Sequence, residues 1–297
     1  MKRFPVFLAL LFFCCACSRE AQKPVETALP EPSKSNAETS VPESSPKAGE
    51  RIVLTADGVE YAFRWCPPGE FMMGAEKFSW EKPIHKVKLT KGFWMLETEV
   101  TQAMWQSVMG KNPSRFRGEK NPVENVTWDE CQEFCTKLSQ MLGQQVQLPT
   151  EAQWEYACRA GTTTDYCWGD DASLLYLYGK YSEKSDLSGI NWQSSTPNNS
   201  YNRTVSVGIY KPNDWGLYDM HGNVDEFCSD YYDEEYYARS PVNDPENTTE
   251  SPYRVHRGGS WFTEASYCRS SFRLWVTPGF YGDDLGLRVL LVPSQEK

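Results

Sequence analysis

The sequence predicts an α+β domain of small antiparallel sheets, few helices and long loops, spanning residues 51–297. Three observations predict it. Short β-branched and aromatic stretches are separated by turn residues; few segments carry helix caps; and 19 prolines and 20 glycines leave loops much of the mass. Taken in order, Arg51 to Leu54 and Tyr61 to Trp65 read as a hairpin around Asp57-Gly58, a dipeptide that accepts positive φ. Lys86 to Thr90 and Gly92 to Glu97 read as two further strands. A helix follows from Thr98 to Met109, with Thr101 as its N-cap. Thr127 and Glu130 have capping-box spacing, and the helix they open turns Cys131, Phe134, Cys135 and Leu138 to one side until Gly143 ends it. Pro149-Thr150-Glu151 starts a third helix with Trp154, Ala157 and Cys158 inward. From Gly161 to Gly216 the chain reads mostly as loop.

Ahead of this domain, Lys2 and Arg3 precede an apolar run from Phe4 to Ala16. The run is long enough for a secretory signal and too short to span a bilayer as a helix. It ends at Ala16-Cys17-Ser18, which resembles a bacterial lipobox, although Cys14 and Cys15 stand where Leu and a small residue are usual. Residues 1–17 are therefore expected to be a signal peptide with its lipobox, and acylated Cys17 to hold an exported protein on a lipid bilayer, at the outer membrane or cell surface. Residues 18–50, rich in Pro, Ser, Glu and Lys, cannot bury enough apolar surface to offset their ordering entropy. They are expected to form a disordered tether.

A net charge of −10 without a basic cluster excludes nucleic acid as a partner. Beyond the signal stand Cys66, Cys131, Cys135, Cys158, Cys167, Cys228 and Cys268. The odd number requires a free thiol or an intermolecular bond, and no spacing matches a tetrahedral zinc site.

Four motifs in order carry a family resemblance. They are Pro122-Val123-Glu124-Asn125-Val126-Thr127-Trp128, Leu148-Pro149-Thr150-Glu151-Ala152-Gln153-Trp154-Glu155-Tyr156-Ala157, Gly216-Leu217-Tyr218-Asp219-Met220-His221-Gly222-Asn223-Val224 and Arg257-Gly258-Gly259-Ser260-Trp261. Together they resemble the formylglycine-generating-enzyme (sulfatase-modifying factor) domain over about residues 50 to 292. The resemblance implies a C-type-lectin-like fold of the formylglycine-generating type. It also implies a copper-dependent oxidase that holds copper with two cysteines downstream of Arg-Gly-Gly-Ser. Those positions fall here at Thr263 and Cys268, and a hydroxyl is a poor ligand for a soft Cu(I) ion. The family's usual Trp after Gly222-Asn223-Val224 is Asp225. Copper and formylglycine formation are therefore not expected; Cys268 and Ser260 would be the catalytic residues of that alternative. Related iron enzymes need three clustered histidines, and His85, His221 and His256 show no such pattern. No Gly-x-Ser-x-Gly elbow supports serine catalysis.

Within the same resemblance, Asp219, Glu226 and the carbonyls of Gly222 and Val224 are expected to bind calcium, which favours such oxygen ligands. The same fold is also used by variable proteins of diversity-generating retroelements, a class that includes phage tropism determinants and a treponemal surface lipoprotein. There the segment after Arg-Gly-Gly-Ser-Trp carries the diversified positions. In this chain Phe262, Thr263, Glu264, Tyr267, Phe272, Leu274, Trp275, Val276, Phe280, Tyr281 and Asp283 occupy those blocks. Arg257, Trp261, Arg269, Arg273 and Arg288 belong to the frame around them. The function expected is display of this C-terminal segment to bind a protein or other macromolecular ligand, with Tyr and Trp supplying rigid contact area. A structural or sensor role in the envelope is the third reading.

Overall fold

A computed structural model describes residues 46–182 and 202–293. The signal peptide, Cys17 and the tether up to residue 45 lie outside the described residues. The hairpin forms as its turn dictates. β1 (Arg51–Ala56) pairs antiparallel with β2 (Val59–Cys66), and Asp57 and Gly58 take φ of 48° and 76°. Along β2 the alternation buries Tyr61, Phe63 and Trp65, one face of a pleated strand. Residues just before β1 belong to the domain and not to a tether. Gly49 N donates to Trp65 O and Trp65 N to Glu50 O, both at 2.9 Å, which moves the domain boundary ahead of residue 51.

β3 (Gly69–Met73) and β4 (His85–Leu89) form a separate ribbon. β5 (Phe93–Leu96) is buried along its whole length and joins a five-stranded sheet ordered β1-β2-β5-β11-β6. There β6 (Gln145–Gln147) and the late β11 (Leu290–Val292) pair antiparallel, so the end of the domain closes onto its beginning. A second sheet, ordered β10-β7-β8-β9, contains β7 (Asp225–Tyr231), β8 (Arg254–Arg257), β9 (Arg273–Val276) and β10 (Leu285–Gly286). It carries the C-terminal segment.

The helices start where their caps predict. α1 (Gln102–Met109) has Thr101 as N-cap, and α2 (Trp128–Leu142) has the Thr127–Glu130 capping box and ends at Gly143 in left-handed conformation. The first begins later than Thr98 because Val100 N donates to Leu287 O instead of entering the helix. α3 (Glu151–Arg159) has a second capping box, Thr150 with Gln153. A short α4 (Tyr236–Arg239) follows β7. One apolar cluster packs Trp105, Phe134, Cys131, Cys135 and Leu138 against Phe63 and Trp65, and another packs Trp154, Cys158 and Leu217 around Met95. All seven cysteines of the described residues are buried free thiols.

Candidate functional site

Arg257, Arg269, Arg273 and Arg288 are buried, and each meets a glutamate from an earlier element. Arg273 Nε and Nη2 both donate to Glu151 at 2.6 Å. Arg269 reaches Glu81 at 2.7 and 3.2 Å. Arg288 holds Glu226 from Nη2 at 2.8 Å and from Nε at 3.1 Å. Arg257 donates to Glu155, and also to the carbonyls of Ser270, Ser271 and Phe272 at 3.0, 2.7 and 2.6 Å. The planar guanidinium fork suits such two-point contacts, whereas a lysine would not. Burial alone would favour the neutral form of Glu155, but Arg159 and Arg257 hold its carboxyl below the usual range. The segment is thus pinned at intervals by buried ion pairs.

Between the pins, Thr263 Oγ1 and Cys268 Sγ come within 3.5 Å. Gly259 makes room for them. A Cβ there would lie 2.7 Å from the sulfur and 2.9 Å from the hydroxyl, and its φ of +72° suits glycine. The two positions implied for copper are therefore adjacent, with one thiol and one hydroxyl. Thr263 does not face outward. Its hydroxyl accepts from Ser260 N at 2.8 Å and lies 3.1 Å from Ser260 O, to which it donates. Half-buried, Thr263 closes a turn. Burial pushes the Cys268 thiol up to about 12, so it is protonated at neutral pH. Ser260 Oγ is buried with no partner among the described residues, and no base is hydrogen-bonded to it as activation requires.

The histidines brace the same loop. Cys167 N donates to His221 Nε2 at 3.3 Å, which leaves the proton on Nδ1 to bond Cys268 O at 2.7 Å. Burial holds His221 down to about 4, so it stays neutral and keeps both bonds. His256 Nδ1 lies 3.1 Å from Asp225 Oδ1 without hydrogen-bond geometry, and that oxygen accepts from Gly259 N at 3.1 Å. Asp225, in place of the family's tryptophan, thus supports the Gly259 turn.

Three more residues of the diversified blocks pack within the domain, Trp275 and Val276 while staying half-buried. Phe272 is buried, with Tyr267 against its ring at 4.9 Å and Phe78 edge-on at 5.8 Å. Trp275 stacks on Tyr232 at 3.9 Å and meets Trp80 edge-on, and Val276 packs against the first core cluster. Each covers apolar surface of the domain. Leu274, Phe262, Glu264 and Tyr267 are half-buried. Phe280 and Tyr281 stand 47% and 63% exposed. Beside them the half-buried Asp283 pairs with exposed Arg115, whose guanidinium lies 5.1 Å from the Phe116 ring centroid. Phe116 in turn meets Trp261 edge-on at 5.4 Å. Trp261 is buried as a frame residue, its Nε1 donating to Asp283 O at 2.9 Å. The most exposed part of the segment is therefore Phe280 and Tyr281, with half-buried Phe262, Glu264 and Asp283 and, from another loop, Arg115 and Phe116.

The expected calcium ligands sit elsewhere. Asp219, Glu226 and Glu99 are buried with Arg288 among them. Glu226 does not fit a calcium ligand: both its oxygens engage Arg288, and Oε2 also accepts from Trp154 Nε1 at 2.6 Å. Asp219 fits better. Oδ2 accepts from Gly208 N at 2.7 Å, while Oδ1 and both Glu99 oxygens are buried with no donor from elsewhere, the two carboxyls being placed to share a hydrogen bond. Burial raises the Asp219 carboxyl to about 6 and the Glu99 carboxyl well above its usual range.

The sulfatase-modifying factor enzyme 1-like family model matches residues 59–292. The chain belongs to that family. Among curated relatives, it is similar to the formylglycine-generating enzyme of Streptomyces coelicolor, 32% identical over 231 residues covering 72% of this chain and 69% of that one. It is also similar to the chaperone protein LppX of Paenibacillus barcinonensis, 30% identical over 253 residues, with 73% and 86% covered. Among solved structures, Treponema denticola variable protein 1 matches with a TM-score of 0.73 and 30% identity, covering 82% of this chain and 99% of that one. PvdO from Pseudomonas aeruginosa, at a TM-score of 0.68 and 23% identity, shows the fold alone. The family's C-type-lectin-like α+β fold is thus the fold of this chain.

Within this family member, the sequence reading missed the counterions Glu81, Glu151 and Glu155, the added carboxylate Glu99, and the Arg115–Phe116 loop. One signal was present for α3. Glu151 and Glu155 stand one helical turn apart, on a helix whose Trp154 and Cys158 point inward.

Proposed function

We propose that this member of the sulfatase-modifying factor enzyme 1-like family is an exported lipoprotein, anchored through Cys17, that displays its C-terminal segment to bind a macromolecular ligand. One observation carries the reading. Four buried arginine–glutamate pins fix the frame while Phe280 and Tyr281 are left facing solvent. Exposed aromatics on a rigid support supply contact area at low entropic cost. The likeness to a variable protein supports this reading, and the formylglycine-generating relatives support the oxidase alternative. Turnover separates the two. Purified protein given Cu(I), oxygen and a cysteine-containing sulfatase peptide is expected to yield no formylglycine, because Thr263 stands where the second thiolate is needed. Mass-spectrometric turnover that disappears in Cys268→Ser would establish the oxidase instead.

A hard cation is a second proposal, resting on the buried Asp219 and Glu99 carboxyls, whose free oxygens have no donor beyond a hydrogen bond between the two. Calcium held by Asp219 and the Gly222 and Val224 carbonyls, with Glu99 in place of Glu226, would give those oxygens a partner. A ligand that binds the native state alone adds about 2.7 kcal/mol at a hundredfold excess over Kd. Calcium is expected to raise the melting temperature, and Asp219→Asn to remove the gain. A melting curve unmoved by calcium and by chelator would mean that these carboxyls hold protons.

A further inference from the structure

We propose that a cleft on the β7–β8 side of the domain binds a free α-amino acid through Arg254 and Glu246. The cleft has a volume of about 330 Å³ and lies between the start of α2, the end of β6 and the last residues of β7. That is room for one amino acid. None of Phe262, Glu264, Phe280, Tyr281 or Asp283 lines it, so the site is distinct from the C-terminal surface.

Arg254 is the built element. It pairs in register with Tyr231 across β7 and β8. Its guanidinium carbon lies 3.4 Å from the Tyr231 ring centroid and 3.7 Å from that of Trp128. Trp128 is itself fixed, its Nε1 donating to Cys228 O at 2.9 Å. A guanidinium held against two aromatic rings keeps its charge and loses its rotamer freedom before any ligand arrives. Nη1 donates to Ser229 O at 2.7 Å. The opposite edge has no acceptor among the described residues, and Nε is buried without a partner. Nη2 is the donor left to meet an acceptor in the cleft, and a carboxylate oxygen suits a charged donor.

Glu246 supplies the other half. It is exposed and lines the same cleft; after Asp129 and Asp230 it is a further carboxylate acting on Arg254, yet it makes no ion pair with it among the described residues. One fixed cation and one unpaired carboxylate in a single cleft match a zwitterion, ammonium toward Glu246 and carboxylate toward Arg254. Gln132 and Gln147 add uncharged donors and acceptors for a polar side chain.

The test is calorimetric titration of the full-length protein with the common L-amino acids singly, alongside acetate and ethylamine. At least one amino acid is expected to bind saturably while acetate and ethylamine do not. Glu246→Gln alters an exposed position and leaves the fold intact. It and Arg254→Gln are each expected to weaken binding about tenfold or more, since each removes one charge-assisted contact. The proposal is overturned if no amino acid binds. It is equally overturned if acetate binds as well as the amino acid and Glu246→Gln changes nothing, which would leave a simple anion site. Neither failure bears on the C-terminal surface.

Discussion

Arg288→Ala is expected to be among the most damaging single changes in this protein. Arg288 is fully buried and acts on Glu226, Glu99 and Asp219 together. It also holds the carbonyls of Leu96 at 3.0 Å and Tyr218 at 2.8 Å, tying β5 to the loop before β7. Removing one partner of a buried pair leaves an uncompensated charge and costs about 3–5 kcal/mol. Native domains have only about 5–15 kcal/mol in total. Denaturant unfolding should place the midpoint of Arg288→Ala far below that of the parent, or find no folded baseline. A loss smaller than about 1 kcal/mol would mean that the Glu226 pair is solvated and that the frame is held by other contacts.

Glu155→Ala is the second large effect, and it acts from the opposite partner. Glu155 accepts from Arg159 at 2.8 and 2.9 Å, from Gly74 N at 3.0 Å and from Arg257. Its removal strands two buried guanidinium groups and one backbone donor. The expected cost is again about 3–5 kcal/mol. Because Arg257 positions the Ser270 to Phe272 carbonyls, the loop around Cys268 should loosen as well. Cys268, protected in the parent, should then react with a thiol reagent under native conditions. An unchanged reaction rate beside lost stability would show that Arg257 is held without Glu155.

Local signals were legible in the sequence. The Asp57-Gly58 turn, the Thr101 cap and the Thr127–Glu130 box each depend on residues within a few positions, and each appears where expected. The four motifs carried the family, and counting from Arg-Gly-Gly-Ser placed Thr263 beside Cys268. The pins were not legible, because Arg269 and Glu81 are 188 positions apart and Arg273 and Glu151 are 122 apart. No periodicity reports contacts at that range. The same limit misassigned Glu226, whose spacing from Asp219 suits a metal loop while its partner lies beyond β10. Leu274-Trp275-Val276 has neither a helical nor a strict strand alternation. The partial burial of Trp275 is set by Tyr232 and Trp80, which the fold brings to β9.

The frame should fold independently of the exposed side chains of Phe280 and Tyr281. The most direct measurement compares thermal unfolding of Phe280→Ser/Tyr281→Ser with that of Trp261→Ala. Exposed changes usually stay within about 0.5 kcal/mol each. Loss of a buried tryptophan costs about 3–5 kcal/mol. The double variant should melt within a few degrees of the parent and lose ligand binding, while Trp261→Ala melts far lower. A double variant as unstable as Trp261→Ala would show that Phe280 and Tyr281 hold the fold together and do not form a displayed surface.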